Sequence, residues 1–264
     1  MNIQSITRDL WLLTNFRNGW EMVSYLRHPK PISKAILRNG TTIVHPEKLG
    51  LVEAIIELWH KKAYFPKDFY TPKTDDVIVD LGANIGLFTL QAAKLNPDAR
   101  IFSFEPFPEN FSYLYQNISN FGLDNVMTYQ YAISNSYRQD FFQQTSSRSL
   151  DHQLVNGYED NINDSSADLF SVEVIPIDAI FDIANIEEIA MLKIDIEGSE
   201  LDIFKSISDS ILKRIKLLAI EYHDNLRPGT LDIIRSKLKY THDIRNIPSN
   251  LSGCGLLFAS PQAE

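Results

Sequence analysis

One short segment constrains this sequence more than any other: an apolar strand that runs into a glycine turn and then into a helix. The predicted strand is Val77–Leu81, and the turn that follows it is Gly82-Ala83-Asn84-Ile85-Gly86. Glycine lets the backbone approach a ligand closely, and the start of a helix offers free N–H groups. The pattern predicts a unit that holds a nucleotide-type cofactor at the end of the strand.

The same alternation of strands and helices continues along the chain. Further strands are predicted at Ile101–Phe104, Val126–Ala132, Val172–Ile177, Met191–Ile196, Lys216–Tyr222, Tyr240–Arg245 and Gly255–Ala259. Apolar residues at helical spacing lie between several of them. This alternation is typical of a parallel sheet covered by helices, so we predict an α/β fold.

Composition narrows the classes of partner. The chain has 264 residues and a single cysteine, which excludes an intrachain disulfide framework. Its formal net charge of −9 argues against a general nucleic-acid or anionic-membrane binder. No apolar run approaches the length needed to cross a bilayer, and the N-terminus lacks a signal-peptide pattern. We expect a cytoplasmic protein with no nucleic-acid partner and no membrane span, and the sequence leaves its oligomeric state open.

Two regions depart from the main pattern. Residues 1–70 predict an N-terminal cap of helices and one hairpin that turns at Asn39-Gly40, and residues 71–264 predict the main domain. We expect the two to form one compact unit, in which the cap either packs on the main fold or acts as a lid facing the substrate. The polar stretch Gln143–Leu169 is too long for an idle connection, which predicts either a mobile segment or a functional loop.

An acidic residue stands where a cofactor ribose would need it. Cofactor sites of this type place a carboxylate about 20 residues beyond the turn, and Glu105 lies 19 residues past Gly86. Dinucleotide sites have a glycine where this turn has Asn84, and that glycine admits a pyrophosphate. Asp80 suits a ligand with an ammonium group better than one with phosphates. These residues favour S-adenosylmethionine, with a dinucleotide or an empty turn as alternatives.

A second group of polar residues follows two later strands. Strand periodicity puts Lys193, Asp195 and Glu197 on one side of the first, and Glu221 and His223 on one side of the second. Charged groups at these ends predict a site in the crevice where α/β sheets bind ligands, with a structural Lys–Asp pair as the alternative. His223 beside carboxylates is a candidate general base. Asp195, Glu221 and His223 are a weaker candidate metal site.

Together, these residues resemble the FkbM family of class I S-adenosylmethionine-dependent methyltransferases. The resemblance is carried by VIVDLGANIGLFTL at 77–90, FEPFPENF at 104–111, YAIS at 131–134, LKIDIEGSE at 192–200 and IEYHD at 220–224. It implies a Rossmann-like, seven-stranded, mostly parallel sheet between helix layers, with the last strand antiparallel. It also implies methylation of a hydroxyl on a sugar, a glycan, a polyketide or another natural product.

The resemblance assigns roles to individual residues. It implies that the cofactor-binding residues are Asp80, Gly82, Asn84, Gly86, Glu105, Pro106, Phe107, Ala132 and Asp195. The resemblance gives no firm role to three further motif positions, Glu197, Glu221 and His223. We expect His223, or else Asp195, to assist deprotonation of the acceptor hydroxyl. Glu197 is a further catalytic candidate. The N-terminal helices and residues 143–170 are expected to form the pocket of a small-molecule or glycan acceptor. Tyr64, Trp59 and His152 are candidates there, each with ordinary packing or a solvated loop as the alternative.

Two competing functions remain at this point. An oxidoreductase that binds a nicotinamide dinucleotide would use the same architecture, although Asn84 in the glycine turn speaks against it. A binding module could keep the fold without chemistry, because a fold does not by itself imply a function.

Overall fold

A seven-stranded sheet forms the centre of the computed structural model, which describes residues 3–144, 152–155 and 169–262. In chain order the strands are β1 Lys34–Ile36, β2 Thr42–Val44, β3 Val77–Leu81, β4 Arg100–Phe104, β5 Val126–Tyr129, β6 Ala132–Ser134, β7 Arg138–Gln144, β8 His152–Val155, β9 Leu169–Pro176, β10 Ile189–Ile194, β11 Ile215–His223, β12 His242–Pro248 and β13 Cys254–Pro261. The helices are α1 Ile3–Asn15, α2 Gly19–Tyr25, α3 Leu51–Ile55, α4 Leu87–Leu95, α5 Pro108–Phe121, α6 Ala179–Ile183, α7 Glu200–Ser206, α8 Asp209–Leu212 and α9 Thr230–Leu238, and a π-helical turn, Ile56–His60, continues α3.

The strand order of the central sheet is β5-β4-β3-β10-β11-β13-β12. The pairs from β5 to β11 are parallel, whereas β13 runs antiparallel to both of its neighbours. The predicted Rossmann-like sheet with an antiparallel last strand is therefore confirmed. The chain order reverses between β3 and β10, which is where open α/β sheets bind ligands.

Strand β3 is buried along its whole length. All five of its residues are buried, including the carboxylate of Asp80, which is 0 % exposed. A central parallel strand is covered by helices on both faces, so its sequence is apolar throughout except where a charge is neutralised internally. Asp80 lies opposite Lys193 in the register between β3 and β10. The register thus sets one opposite charge against the other inside the sheet.

A second sheet departs from the sequence prediction. The predicted strand Val126–Ala132 is wrong at its end, because β5 stops at Tyr129 and Ala132 begins β6 in a different sheet. That sheet has the order β6-β9-β7-β8, and the predicted strand at 172–177 overlaps its strand β9, which begins earlier and ends at Pro176. The last bond of β5 to the central sheet runs from the Glu105 amide to the Tyr129 carbonyl. Alternating apolar residues predict a strand but do not indicate which sheet it joins.

The N-terminal segment contains the predicted helices and hairpin. Strands β1 and β2 pair around the turn at Asn39-Gly40, as predicted. In α1 the side chain of Leu12 is buried, whereas Ile6 and Leu10 are exposed, so only part of its apolar surface packs inward. Buried side chains of this segment share one apolar cluster with residues at the start of α4. The division at residue 70 stays a prediction, since the cluster crosses it.

A side chain on α5 fastens the hairpin to the main sheet layers. The Asn117 amide group accepts a hydrogen bond from the Val44 amide and donates to the carbonyls of Val44 and Ile85. Its side chain is fully buried, and all of its polar atoms are engaged in these bonds. The cap therefore contacts the glycine turn through a polar bridge as well as through apolar packing.

Most of the polar stretch Gln143–Leu169 lies outside the described residues. Its predicted role in the acceptor pocket stays a prediction, and the side chain of His152 lies outside the described part of the chain. Within the residues that the structure describes, no helix is both long and apolar enough to cross a membrane.

Replacing Gly82 by alanine should severely destabilise the protein. Gly82 has a φ of +73°, and an added Cβ would lie 1.8 Å from the carbonyl oxygen of Asp195. Backbone atoms of two neighbouring strands must then separate, so we expect a loss of about 4 kcal/mol or more in the free energy of unfolding. This free energy is measured by urea unfolding, monitored by circular dichroism.

Gly122→Ala is the matched control for this change. Gly122 ends α5 with a φ of +62°, and its added Cβ would meet nothing within 4 Å. In this variant only the left-handed backbone conformation is unfavourable for alanine, which should lower the free energy of unfolding by about 1–2 kcal/mol. If both variants lost the same free energy of unfolding, the close contact between residue 82 and the Asp195 carbonyl would not contribute to the destabilisation.

Candidate active site

A cavity of about 260 Å³ opens at the carboxyl ends of the central strands. Most of the predicted site residues line it: Gly82, Asn84, Glu105, Pro106, Ala132, Asp195, Glu197 and Glu221. Asp80, Gly86, Phe107 and His223 are not among its lining residues. Asp80, Phe107 and His223 are buried close behind the cavity wall, where they contact residues that line it. The structure therefore brings the predicted residues into one region and divides them into a lining layer and a supporting layer.

Glu105 is presented to the cavity by the backbone around it. Its Oε2 accepts a hydrogen bond of 2.7 Å from the Asn84 amide, and its Oε1 accepts one of 2.9 Å from the Phe107 amide. Burial raises the pKa of this carboxyl to about 7, against the lowering effect of the two amides. Each oxygen keeps a further lone pair, so the carboxylate can accept bonds from two vicinal hydroxyls.

The turn itself holds Asn84 in the left-handed region. Its φ is +51°, a conformation that asparagine adopts more readily than most residues other than glycine. This conformation aims the Asn84 amide at Glu105, whereas the side-chain oxygen accepts from the Ile85 amide. Asn84 therefore keeps the turn tight at the position where dinucleotide sites have a glycine.

Lys193 connects the glycine turn to the second group of acids. Its Nζ donates to the carbonyls of Gly82 and Leu81, at 2.7 and 3.2 Å. The same nitrogen lies 3.1 Å from Asp80 Oδ1 and 3.5 Å from Asp195 Oδ2. Burial opposes the charge on Lys193, but these carboxylates outweigh it and raise its pKa. Asp80 also accepts from the Thr89 hydroxyl, so it supports the turn from inside the sheet.

Tyr64 bridges two of the acids that line the cavity. Its hydroxyl lies 2.7 Å from Glu221 Oε2 and 3.1 Å from Asp195 Oδ2. Burial and the charge of Asp195 raise the pKa of Glu221 to about 7, and burial raises the pKa of the Tyr64 hydroxyl well above its usual value. One hydroxyl proton is shared by two carboxylates, so this corner of the site favours an added positive charge.

His223 is held between two carboxylates. Its Nδ1 lies 3.1 Å from Oε1 of Glu200, which is fully buried, and its Nε2 lies 3.5 Å from Glu197 Oε2. Burial opposes protonation of the ring, but the bond to Glu200 and the charges of Glu200 and Glu197 raise its pKa to about 10. Burial and Asp195 raise the pKa of Glu197 to about 8. These contacts place His223 against Glu197 and behind the cavity wall.

Glu197 occupies a strained backbone position. Its φ is +50°, in the left-handed region that a glutamate rarely adopts, and it is followed by Gly198 with a φ of +101°. Such conformations persist where the surrounding structure imposes them, and they cluster at functional sites. The turn after β10 directs this carboxylate into the cavity.

The geometry changes which residues could form the candidate metal site. Ligand atoms of Asp195, Glu197 and His223 lie within 4.8 Å of one another, whereas Glu221 bonds to Tyr64 instead. Glu197 rather than Glu221 would therefore complete such a set. The metal site stays a prediction.

The N-terminal segment supplies a wall that the motif analysis did not identify. Its lining residues are His45, Gly50, Leu51, Glu53, Ala54, Glu57, Leu58, Ala63 and Tyr64. Trp59 does not line the cavity, and it donates to the Leu87 carbonyl and packs against Phe16 and Phe121. The cap thus both packs on the main fold and borders the site. Aromatic spacing alone could not separate Tyr64 from Trp59, because both sit in apolar surroundings.

Replacing Lys193 by methionine should strongly destabilise the protein. The change leaves the Asp80 carboxylate buried without its cation, and we expect a loss of about 3–5 kcal/mol in the free energy of unfolding. Adding Asp80→Asn should recover part of the loss. Lys216→Met is the control, because Lys216 and its partner Glu188 are both exposed and such pairs are worth about 1 kcal/mol or less. A similar loss in both lysine variants, measured by urea unfolding, would contradict the central role of Lys193.

Comparison with known protein families identifies the domain. The model of the methyltransferase FkbM domain matches residues 80–252, which include the glycine turn, Glu105, Lys193 and the acids after β10 and β11. Among curated relatives, Methyltransferase 1 of Beauveria bassiana is 25% identical over 190 residues, covering 64% of this chain and 74% of the relative.

Two further relatives are named for more specific reactions. Hexuronic acid methyltransferase AglP of Haloferax volcanii is 25% identical over 173 residues, which is 66% of this chain and 66% of the relative. The 31-O-demethyl-FK506 methyltransferase FkbM of Streptomyces tacrolimicus is 26% identical over 212 residues, covering 71% of this chain and 80% of that protein.

Solved structures with a similar arrangement are more distant in sequence. TYW2 of M. jannaschii, solved in complex with AdoMet, is 14% identical, with a TM-score of 0.43 over 86% of this chain and 85% of that chain. The family match is the stronger finding, because it spans most of the chain and includes the cavity residues from Gly82 to Glu221. The chain belongs to the FkbM family of methyltransferases, and its methyl donor is S-adenosylmethionine.

Proposed function

We propose that this protein transfers a methyl group from S-adenosylmethionine to a hydroxyl oxygen of a sugar, a glycan or another small natural product. The observation that carries the proposal is one continuous cavity, which joins the Glu105 cradle to the acids after β10 and β11. The same cavity extends beneath the N-terminal wall, so donor and acceptor can lie side by side. A cytoplasmic location and the absence of a nucleic-acid partner remain predictions from the sequence.

The residues of the cradle fit the donor. Glu105 has lone pairs for the ribose hydroxyls, Gly82 keeps the turn free of side-chain atoms, and Asp195 can face the amino group. Pro106 and Ala132 line the cavity beyond Glu105, where the adenine would lie. When bound, the donor supplies a methyl group on a positively charged sulfur. Because that methyl group is already activated, the main task of the protein is alignment.

The relatives support an oxygen acceptor. The Haloferax relative is named for a hexuronic acid and the Streptomyces relative for 31-O-demethyl-FK506. Those names belong to those proteins. For this chain they support the general class of acceptor, a hydroxyl-bearing natural product, and leave its identity to experiment.

We assign proton removal to Glu197 and positioning to His223. Glu197 lines the cavity, whereas His223 does not, and the two ring nitrogens of His223 face the carboxylates of Glu197 and Glu200. A carboxylate with a pKa of about 8 is well matched to accept a proton near neutral pH. In this assignment the acceptor hydroxyl loses its proton to Glu197 as its oxygen gains the methyl group. Asp195 then holds the donor rather than the proton.

Donor binding should depend on Glu105 and on pH. S-adenosylhomocysteine should bind in a calorimetric titration, whereas NAD should not, and Glu105→Gln should weaken binding at least about tenfold. Ribose hydroxyls donate to the ionised carboxyl, whose pKa is about 7. Affinity should therefore rise as pH increases through that value, and Glu105→Gln should remove this part of the rise. NAD binding in place of S-adenosylhomocysteine would support an oxidoreductase, and no binding of either would support a module without chemistry.

Turnover should separate Glu197 from His223. Single-turnover assays with a labelled methyl donor and a panel of hydroxyl compounds identify an acceptor, and product NMR shows whether oxygen carries the methyl group. Glu197→Gln should then lower the rate by about 10²–10⁴-fold and leave the affinity for S-adenosylhomocysteine within a few-fold. His223→Asn should cause a smaller loss, because it disturbs Glu197 without removing its carboxylate. A complete loss in His223→Asn with a mild effect of Glu197→Gln would make His223 the base.

A further inference from the structure

The first helix turns part of its apolar surface towards the solvent. Ile3, Ile6 and Leu10 of α1 are 80, 50 and 59 % exposed. Residues at positions i, i+3 and i+7 lie on one side of a helix, so these three side chains form one exposed stripe, the α1 stripe. Trp20, at the start of α2, is 74 % exposed. Contiguous exposed apolar surface marks a site that binds another protein or a membrane.

Contacts on the other side of α1 fix its orientation. Leu12 is fully buried, and the carboxylate of Asp9 is buried between Arg8 and Arg27, at 2.7 and 3.0 Å. These contacts hold the helix with the α1 stripe outward. Gly19 packs so closely on this helix that an added Cβ would lie 2.5 Å from the Leu12 carbonyl oxygen. The exposed tryptophan, which follows this glycine, therefore starts beside the C-terminal end of α1.

The segment that carries the α1 stripe is basic, although the chain as a whole is acidic. Residues 1–40 contain six lysines and arginines against two acids, whereas the whole chain has a net charge of −9. Of the two acids, Asp9 is buried and already paired. Four of the bases are exposed and form no ion pair among the described residues: Arg17, Lys30, Lys34 and Arg38. The segment therefore presents uncompensated positive charge to the solvent.

Hydrogen bonds bring three of these bases to the corner between α1 and α2. The Arg38 guanidinium donates to the Leu13 carbonyl in the last turn of α1, and the Arg17 guanidinium donates to the carbonyl of Arg38 at 3.1 Å. The side chain of Asn18 donates to the Lys34 carbonyl at 3.0 Å. The positive charges thus lie at one end of the α1 stripe, at the corner that carries the exposed tryptophan.

We propose that this N-terminal face, made of the α1 stripe, Trp20 and the four exposed bases, docks on an anionic lipid bilayer without crossing it. An aliphatic stripe, a tryptophan and flanking lysines and arginines are the combination that binds an amphipathic helix to a membrane surface. The aliphatic side chains and the tryptophan enter the interface, and the bases lie against the headgroups. The inference goes beyond the proposed function and does not depend on it.

Two other occupants fit this face less well. A symmetric contact between two copies would set the same basic residues against one another. A nucleic acid would neutralise the bases but would leave the aliphatic stripe in water, because phosphates are the groups that lysine and arginine hold. A bilayer with anionic headgroups satisfies both the charge and the apolar surface.

Flotation of the protein with lipid vesicles tests the proposal. Vesicles of POPC with about 30 mol % POPS should carry the protein upward in a density gradient at low salt, and POPC vesicles should bind it at least about tenfold more weakly. Added salt should weaken binding to the anionic vesicles. The same vesicles should shift the tryptophan emission to shorter wavelength, and Trp20→Tyr should remove most of the shift.

A pair of aliphatic changes locates the apolar part of the face. Ile6→Gln combined with Leu10→Gln should weaken binding to the anionic vesicles about tenfold or more, because less apolar surface is buried in the interface. Both positions are exposed, so the free energy of unfolding and the affinity for S-adenosylhomocysteine should stay unchanged. Tyr240→Gln combined with Leu251→Gln is the matched control, because these exposed apolar residues lie outside the N-terminal segment.

A pair of lysine changes locates the charged part. Lys30→Gln combined with Lys34→Gln should also weaken binding about tenfold or more, and the remaining binding should depend less on salt. Lys205→Gln combined with Lys213→Gln removes the same charge from two exposed lysines in the C-terminal half of the chain. This control should bind the anionic vesicles as the unchanged protein does.

Several outcomes would overturn the inference. They are binding to neither vesicle at low salt, equal binding to both vesicles, and unchanged binding after Ile6→Gln with Leu10→Gln. A dimer in light scattering that dissociates with these two changes would also overturn it, because a second copy would then cover the face. Binding to a DNA duplex in place of the vesicles would overturn it as well. The proposed function is judged separately, by S-adenosylhomocysteine binding and methyl transfer.

Discussion

The buried ammonium of Lys193 is the interaction on which the rest of the site depends. It neutralises Asp80 inside the central sheet, holds the carbonyl of Gly82 and lies beside Asp195. One cation thus ties the glycine turn after β3 to the acids after β10. Such a charge is tolerated in a protein interior only because carboxylate and carbonyl oxygens surround it. Removing this charge would leave the Asp80 carboxylate buried without a cation.

The close approach of two backbones reinforces this connection. The Asp195 carbonyl lies where a side chain at position 82 would begin, so the two loops pack with no space between them. Backbone strain is concentrated in the same place, at Asn84 and at Glu197. Both left-handed residues belong to the site. At Asn84 this conformation directs the backbone amide toward Glu105, and Glu197 itself lines the cavity. The site is therefore shaped by its turns as much as by its side chains.

The carboxylates of the site have distinct surroundings, although they belong to similar motifs. Glu105 is held by amides, Glu200 orients His223, and Glu221 is tied to Tyr64. Burial raises the pKa of Glu105 and of Glu221 above that of an ordinary carboxyl, because it penalises the charged form. A positively charged donor would be stabilised by such surroundings. The N-terminal wall adds Glu53 and Glu57 to the acids that line the cavity.

The sequence alone was enough to predict the central architecture and to propose the donor-binding residues, because strand and helix periodicity, the glycine turn and the acid 19 residues beyond Gly86 are local properties of the chain. It also identified the acids after β10 and β11. Only the tertiary structure decided which residues line the cavity, since Asp80 and His223 share motifs with lining residues yet lie behind them. It also decided that β6 leaves the central sheet and that Tyr64, far away in the chain, meets Asp195 and Glu221. These outcomes depend on packing between distant segments, which no local pattern encodes.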